Sequence, residues 1–305
     1  MSLTYDIKNY ATFGKCVCIE NDLMELYVTI DLGPRIIKFN LKGKQNMMFN
    51  DDKRKIYHDE PNLKEMFGKD ARWDIYGGHR FWISPEKHPE TYYPDNSPVD
   101  YTVEGSVFTF YAPKQIFTGW QETMKITVSE TEAKADIKHI LTNMSDRTQT
   151  ASIWGLNVTD KGGVAFVKQA DYDTGLLANR TLMLWPYNKM TDKRFCMDDE
   201  YISLKQETSA VLPFKIGVNN TYGTAVCFNH GTAFRITYSH IDGAEYPDNG
   251  CSCELYSCAD FLEVETLSPL YTLAPGQSCE HDEHWELLDT DSFPNHDIDI
   301  FFKAN

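Results

Sequence analysis

The chain has 305 residues, 42% hydrophobic and 13% aromatic, enough to fill a substantial core without disulfide or metal staples. Lysine and arginine total 29 against 45 aspartates and glutamates. The resulting formal charge of −16 argues against nucleic acid or an anionic membrane as partner and leaves a neutral sugar or a cation as the easier ligand. No run of 18 apolar residues occurs, and residues 1–6 have neither the basic nor the apolar region of a signal peptide, so a soluble cytoplasmic protein is expected.

The eight cysteines include the pairs Cys16/Cys18 and Cys251/Cys253. On a strand such sulfurs share a face but sit too far apart to bridge easily, which suggests reduced packing cysteines. Cys251, Cys253 and Cys258 lack the second ligand pair of a usual zinc site.

In chain order, residues 16–19 and 23–30 read as strands around a polar turn, and residues 31–41 continue into a hairpin closed at Gly43. Residues 51–70 are charged and irregular, with Pro61 able to open one short helix, and are long enough to cover a site. The segment Tyr76-Gly77-Gly78-His79-Arg80-Phe81-Trp82 follows. Its glycines allow close backbone approach, Arg80 offers a fork of donors, His79 can move a proton near neutral pH, and Trp82 supplies a flat apolar face.

A proline-punctuated stretch over 85–98 holds Tyr92 and Tyr93. Alternation is then sustained through 101–103, 107–111, 124–128, 133–141 and 151–153, the pattern of an antiparallel meander, and His139 reads as an interior histidine. Further strands are expected at 182–184, 215–218, 224–228, 233–238, 252–256, 260–266 and 284–288. With no strong helix and no linker, the fold class is all-β, one domain over residues 1–305, built as two large stacked sheets.

Within 260–266, alternation places Phe261, Glu263 and Glu265 on one face and Leu262 and Val264 on the other. The two carboxylates stand roughly 7 Å apart, either on a solvated face or in a cleft where mutual repulsion raises one pKa. Lys215 follows Phe214 in an apolar setting that lowers its pKa if buried, or it snorkels to the surface. Asn179-Arg180 and Trp185-Pro186-Tyr187 offer either sugar-type contacts or loop packing. In His281-Asp282-Glu283-His284, alternation sends His281 and Glu283 to one face and Asp282 and His284 to the other, so a charged edge strand is preferred over a metal site. Phosphate-cradling, dinucleotide, nucleophile-elbow and zincin motifs are all missing.

Several of these segments match a known pattern. Asp31-Leu32-Gly33-Pro34-Arg35-Ile36-Ile37, with Gly43 and residues 46–49, resembles the opening of the galactose mutarotase-like superfamily. Residues 261–267 followed by Leu273-Ala274-Pro275-Gly276-Gln277 are similar to the aldose 1-epimerase pattern Leu-x-Leu-Glu-Thr-Gln then Leu-x-Pro-Gly-Glu. Tyr76-Gly77-Gly78-His79 is similar to a segment of the hexose-6-phosphate epimerases, and the Gly-Gly-His-Arg-Phe-Trp run resembles a bacterial branch of the same superfamily.

The resemblance implies a β-supersandwich with a sugar site on the concave sheet face. It implies an aldose 1-epimerase-like isomerase in which a glutamate takes the anomeric proton and a histidine protonates the ring oxygen. By motif position Glu265 matches that glutamate. The family's acid histidine corresponds to residues 152–157, which hold none, so His79 is the first candidate acid and Lys215 the next. Arg80, Trp82, Trp154, Lys215 and Glu263 complete the expected sugar site, with no metal and no cofactor. The alternatives are a non-catalytic carbohydrate-binding protein on the same fold, or a glycoside-cleaving enzyme using Glu263 or Glu265 with a second acid.

Overall fold

The computed structural model describes residues 3–290 and 298–302; Met1 and Ser2, part of the N-terminal reading above, lie outside them. Two antiparallel sheets of 11 and 10 strands face each other, with a two-stranded ribbon, Tyr57–His58 and Trp73–Asp74, beside them. Alternating apolar residues fill the space between the sheets. Val17, Leu26, Phe39, Phe81 and Ile153 of the larger sheet join Phe110, Met124, Ile137, Phe234 and Trp285 of the smaller one in a single apolar cluster. The stacked-sheet, all-β expectation is met.

The expected meander is present: Asp100–Glu104, Val107–Tyr111, Trp120–Val128 and Lys134–Asn143 pair in sequence. The chain then leaves that sheet, and Gln149–Thr159 enters the other one between Gly78–Ser84 and Leu262–Leu267. From Ala151 to Thr159 every residue of this strand is buried. A strand covered on both faces belongs in the middle of a sheet that is itself covered on both faces, and this overrides pairing with its sequence neighbour.

Helix Pro61–Phe67 forms where Pro61 was expected to open one. Thr4–Asn9 was not expected as a strand; it pairs with Lys15–Glu20 and is exposed along its whole length, although Tyr5 and Ile7 alternate with polar residues. One expectation is corrected. Ser278–Asp289 is not an edge strand but runs inside the ten-stranded sheet, between Thr232–Tyr238 and Lys134–Asn143. Its outward charges are exposed to solvent and also find cross-strand partners: His284 bonds Asp136, and Lys138 pairs with Glu280 and Asp282. All eight cysteines are unbridged, as expected. Among the described residues no helix is long and apolar enough to cross a membrane.

Candidate functional site

Adjacent strands of the larger sheet form the floor of a cleft. Register sets Arg80 opposite Leu156, Leu156 opposite Glu265, and Glu265 opposite Glu254. The next rung carries Val158, Glu263, Tyr256 and Lys215, and a rung on the other side carries Trp82, Trp154 and Leu267. Alternation brings these side chains out on the face turned away from the sandwich core. Walls come from less regular segments: His58 and Trp73 from the ribbon, Glu86 and Tyr92 from the proline-rich stretch, and Trp185 and Tyr187 from a later loop. The cleft is open on one side and its volume is about 330 Å³, the size of a small-molecule site.

The floor is both aromatic and charged. The Arg80 guanidinium lies 4.4 Å from the Trp82 ring centre and 5.3 Å from that of Trp73. Lys215 Nζ lies 4.5 Å from the Trp154 ring centre and 4.8 Å from that of Trp185. These cation–π contacts hold the two basic groups beneath flat apolar faces of the kind that stack on sugar rings.

The two carboxylates of Leu262–Leu267 differ in their surroundings. Glu265 is 0% exposed. Its Oε2 accepts from Trp154 Nε1 at 2.8 Å and from Lys215 Nζ at 2.9 Å. Lys215 also lies 2.7 Å from Glu254 Oε2. Burial disfavours the lysine's charge, but Glu254 and Glu265 outweigh it and hold the ammonium well above its usual range. Burial, only partly offset by Lys215, pushes Glu254 up.

Glu263 faces the cleft, 8% exposed, with Oε1 4.0 Å from Arg80 Nη2. Burial and the nearby Glu265 carboxylate raise it to about 7, against the pull of Arg80 and Lys215. A carboxyl poised there gives or takes a proton at neutral pH. Burial and Arg35 bring Arg80 down to about 10, still cationic.

Of the residues read from sequence, Arg80, Trp82, Trp154, Lys215 and Glu263 line the cleft together, and Trp185 and Tyr187 join them. Phe261, Glu263 and Glu265 share the face expected of them, with Glu265 beneath the floor, its Oε2 held by Trp154 and Lys215 and its Oε1 buried without a hydrogen-bond partner. His79 is a correction: it alternates with Arg80, so its ring points into the sandwich, where Nε2 meets His139 Nε2 at 2.7 Å. Lys215 is a second correction, since it is buried yet its pKa moves up, because two carboxylates meet it. Asn179 and Arg180 bond backbone carbonyls at Tyr172, Ala170 and Asp199, which is loop packing. His58, Trp73, Glu86, Tyr92 and Tyr256 were missed as site residues. The irregularity of 51–70, read as long enough to cover a site, was the available signal for His58, and the proline-punctuated irregularity of 85–98 for Glu86 and Tyr92.

No protein-family model and no curated protein matches the sequence. Among solved structures, the chain is similar to a TPR-domain containing protein from Parabacteroides distasonis, at 13% identity and a TM-score of 0.60. The match covers 93% of this chain and 50% of that one, so the chain spans about half of that protein's length. It is also similar to a galactose mutarotase-like protein from Lactobacillus casei, at 9% identity over 90% and 100% of the two chains with a TM-score of 0.52. A galactose mutarotase-like protein from Clostridium acetobutylicum matches at 10% identity over 95% and 99%, also with a TM-score of 0.52. Identity this low carries architecture and no residue roles. The chain has the galactose mutarotase-like fold, as its opening and C-terminal motifs implied.

Proposed function

We propose that this protein binds a pyranose-type sugar in the cleft and interconverts its anomers by proton transfer through Glu263. The observation that carries the reading is one carboxyl raised to about 7, facing an aromatic-walled cleft beside Arg80. Fold neighbours named galactose mutarotase-like support a sugar as the ligand. As carboxylate, Glu263 takes the proton of the anomeric hydroxyl; the bond between C1 and the ring oxygen breaks, the ring oxygen gains a proton, and re-closure on either face exchanges the anomers. His58 is the imidazole lining the cleft and the group we assign to protonate the ring oxygen. The eight unbridged cysteines support a reducing, cytoplasmic setting.

A second reading, carbohydrate binding without catalysis, is favoured by the floor itself, where Lys215 is held charged by two carboxylates and His79 faces away. NMR exchange on a panel of neutral and phosphorylated aldoses separates the two. Glu263→Gln is expected to slow exchange at least ~100-fold while sugar-induced shifts persist, and the wild-type rate is expected to climb with pH through about 7. Sugar-induced shifts with no exchange in the wild type would leave only the binding reading. Exchange that survives Glu263→Gln but not Glu265→Gln would return the base to Glu265.

A further inference from the structure

Behind the cleft floor, between the sheets, lies a polar cluster that the cleft chemistry does not use. His79 and Asn157 face inward from paired positions on Gly78–Ser84 and Gln149–Thr159. His139 and Glu283 meet them from the other sheet. All four are 0% exposed, and one nitrogen of each histidine and one oxygen of Glu283 lie within 4.8 Å of one another. Gly155 leaves the room: a Cβ there would stand 2.6 Å from Glu283 Oε1.

The hydrogen bonds leave this cluster short of a positive charge. Glu283 accepts from Thr266 Oγ1 and Trp285 Nε1, with Asn157 Nδ2 at 3.5 Å, and all three partners are neutral. An ionised carboxylate in such a setting is costly without a cation. His139 Nδ1 donates to the His281 carbonyl at 2.9 Å, leaving Nε2 with a lone pair. His79 Nδ1 and the Oδ1 of its neighbour Asn157 are both buried and unpartnered, and a proton on that Nδ1 is what suits both atoms. The two Nε2 lone pairs then face each other across 2.7 Å, a contact that needs either a proton or a metal cation between them.

We propose that His79 Nε2, His139 Nε2 and the Glu283 carboxylate bind one divalent first-row transition metal ion, with Zn²⁺ the best match to two imidazoles and a carboxylate. The carbonyl holding His139 Nδ1 is the outer-shell partner that orients a ligating imidazole. The ion neutralises Glu283 and ties the two sheets together directly behind Arg80. This departs from the sequence reading, which weighed a metal at Cys251, Cys253 and Cys258 and within residues 281–284 and expected none.

The test is metal content of the full chain, produced in medium supplemented with Zn²⁺ or Co²⁺, then dialysed against chelator and gel-filtered. The largely exposed group His58, Glu60 and His88, of which His58 lines the cleft, also has metal-ligand spacing, so His88→Ala serves as the control. Expected are about one equivalent per chain in the wild type and in His88→Ala, and less than a tenth of that in His139→Gln and Glu283→Gln. The Co²⁺ form should also show visible ligand-field bands. Should the inner variants fail to fold, X-ray absorption on the wild-type Zn²⁺ form still decides, with two imidazole nitrogens and carboxylate oxygen expected in the first shell. No retained metal in the wild type, or metal lost with His88→Ala, would overturn the proposal and leave a neutral hydrogen-bonded network.

Discussion

Lys215 carries more of the site's stability than its size suggests. It sits between two carboxylates that are themselves fully buried, at 2.7 Å from Glu254 and 2.9 Å from Glu265. Removing one member of a buried ionic group leaves the others unpaired, which costs far more than the intact group contributes. Lys215→Met is therefore expected to destabilise the protein by about 3–5 kcal/mol at pH 8, measured by urea unfolding. Glu254 is already pushed up, so lowering the pH neutralises it early and the deficit should shrink toward pH 5. Adding Glu265→Gln to Lys215→Met should recover part of the loss, and a deficit under ~1 kcal/mol at pH 8 would mean that water reaches the lysine. The direction of the Lys215 shift was illegible from residues 213–217 alone. Burial can be read from neighbours in sequence, but Glu254 and Glu265 arrive from other strands.

At the scale of one strand, Gly78–Ser84 shows what alternation reveals and what it was not asked. The glycines before it were read as permitting close approach, and they do: Gly78 has φ +70, and a Cβ on it would stand 2.4 Å from the carbonyl oxygen of Ile36. Backbone cannot move aside as a side chain does, so Gly78→Ala is expected to cost about 3 kcal/mol or more. Gly43, with φ +81 and nothing within 4 Å, isolates the conformational cost, and Gly43→Ala should lose only about 1–2 kcal/mol. Denaturation midpoints of the two variants compare them; equal losses would show that the Ile36 contact relaxes. The same period of two that sorted residues 261–265 and 281–284 onto their correct faces also places His79 and Arg80 on opposite sides of their strand. Read as one gripping motif, they were grouped in the cleft. Read as a strand, Arg80 belongs to the cleft and His79 to the interior. Trp73 and Tyr256 were beyond reach by either route, because strand pairing brings them to the site.

Across the whole molecule, the stacked sheets bury acids that a solvated surface would have left ordinary, and folding becomes linked to protons. Glu263 rises to about 7. Glu122, partly covered and accepting from Gln115 at 3.0 Å, rises to about 8 through burial and the nearby Asp95. In the unfolded chain both return to about 4.3. From there up to about 8 the folded protein holds protons that the unfolded chain has released, so these groups make stability fall as pH rises. For Glu263 the full effect is on the order of 3 kcal/mol. Other groups titrate over the same range, so the informative quantity is a difference between variant and wild type. Glu122 lies outside the cleft, in a smaller pocket that shares Trp82 with it, which keeps this test apart from the proposed activity. Glu122→Gln retains an acceptor for Gln115 and cannot ionise. Its melting temperature relative to wild type is expected to rise steadily between pH 6 and 8.5, then level off once Glu122 has lost its proton in both states. A difference that stays flat over that range would mean Glu122 is ionised in the folded protein, with Arg35 and Arg80 outweighing its burial.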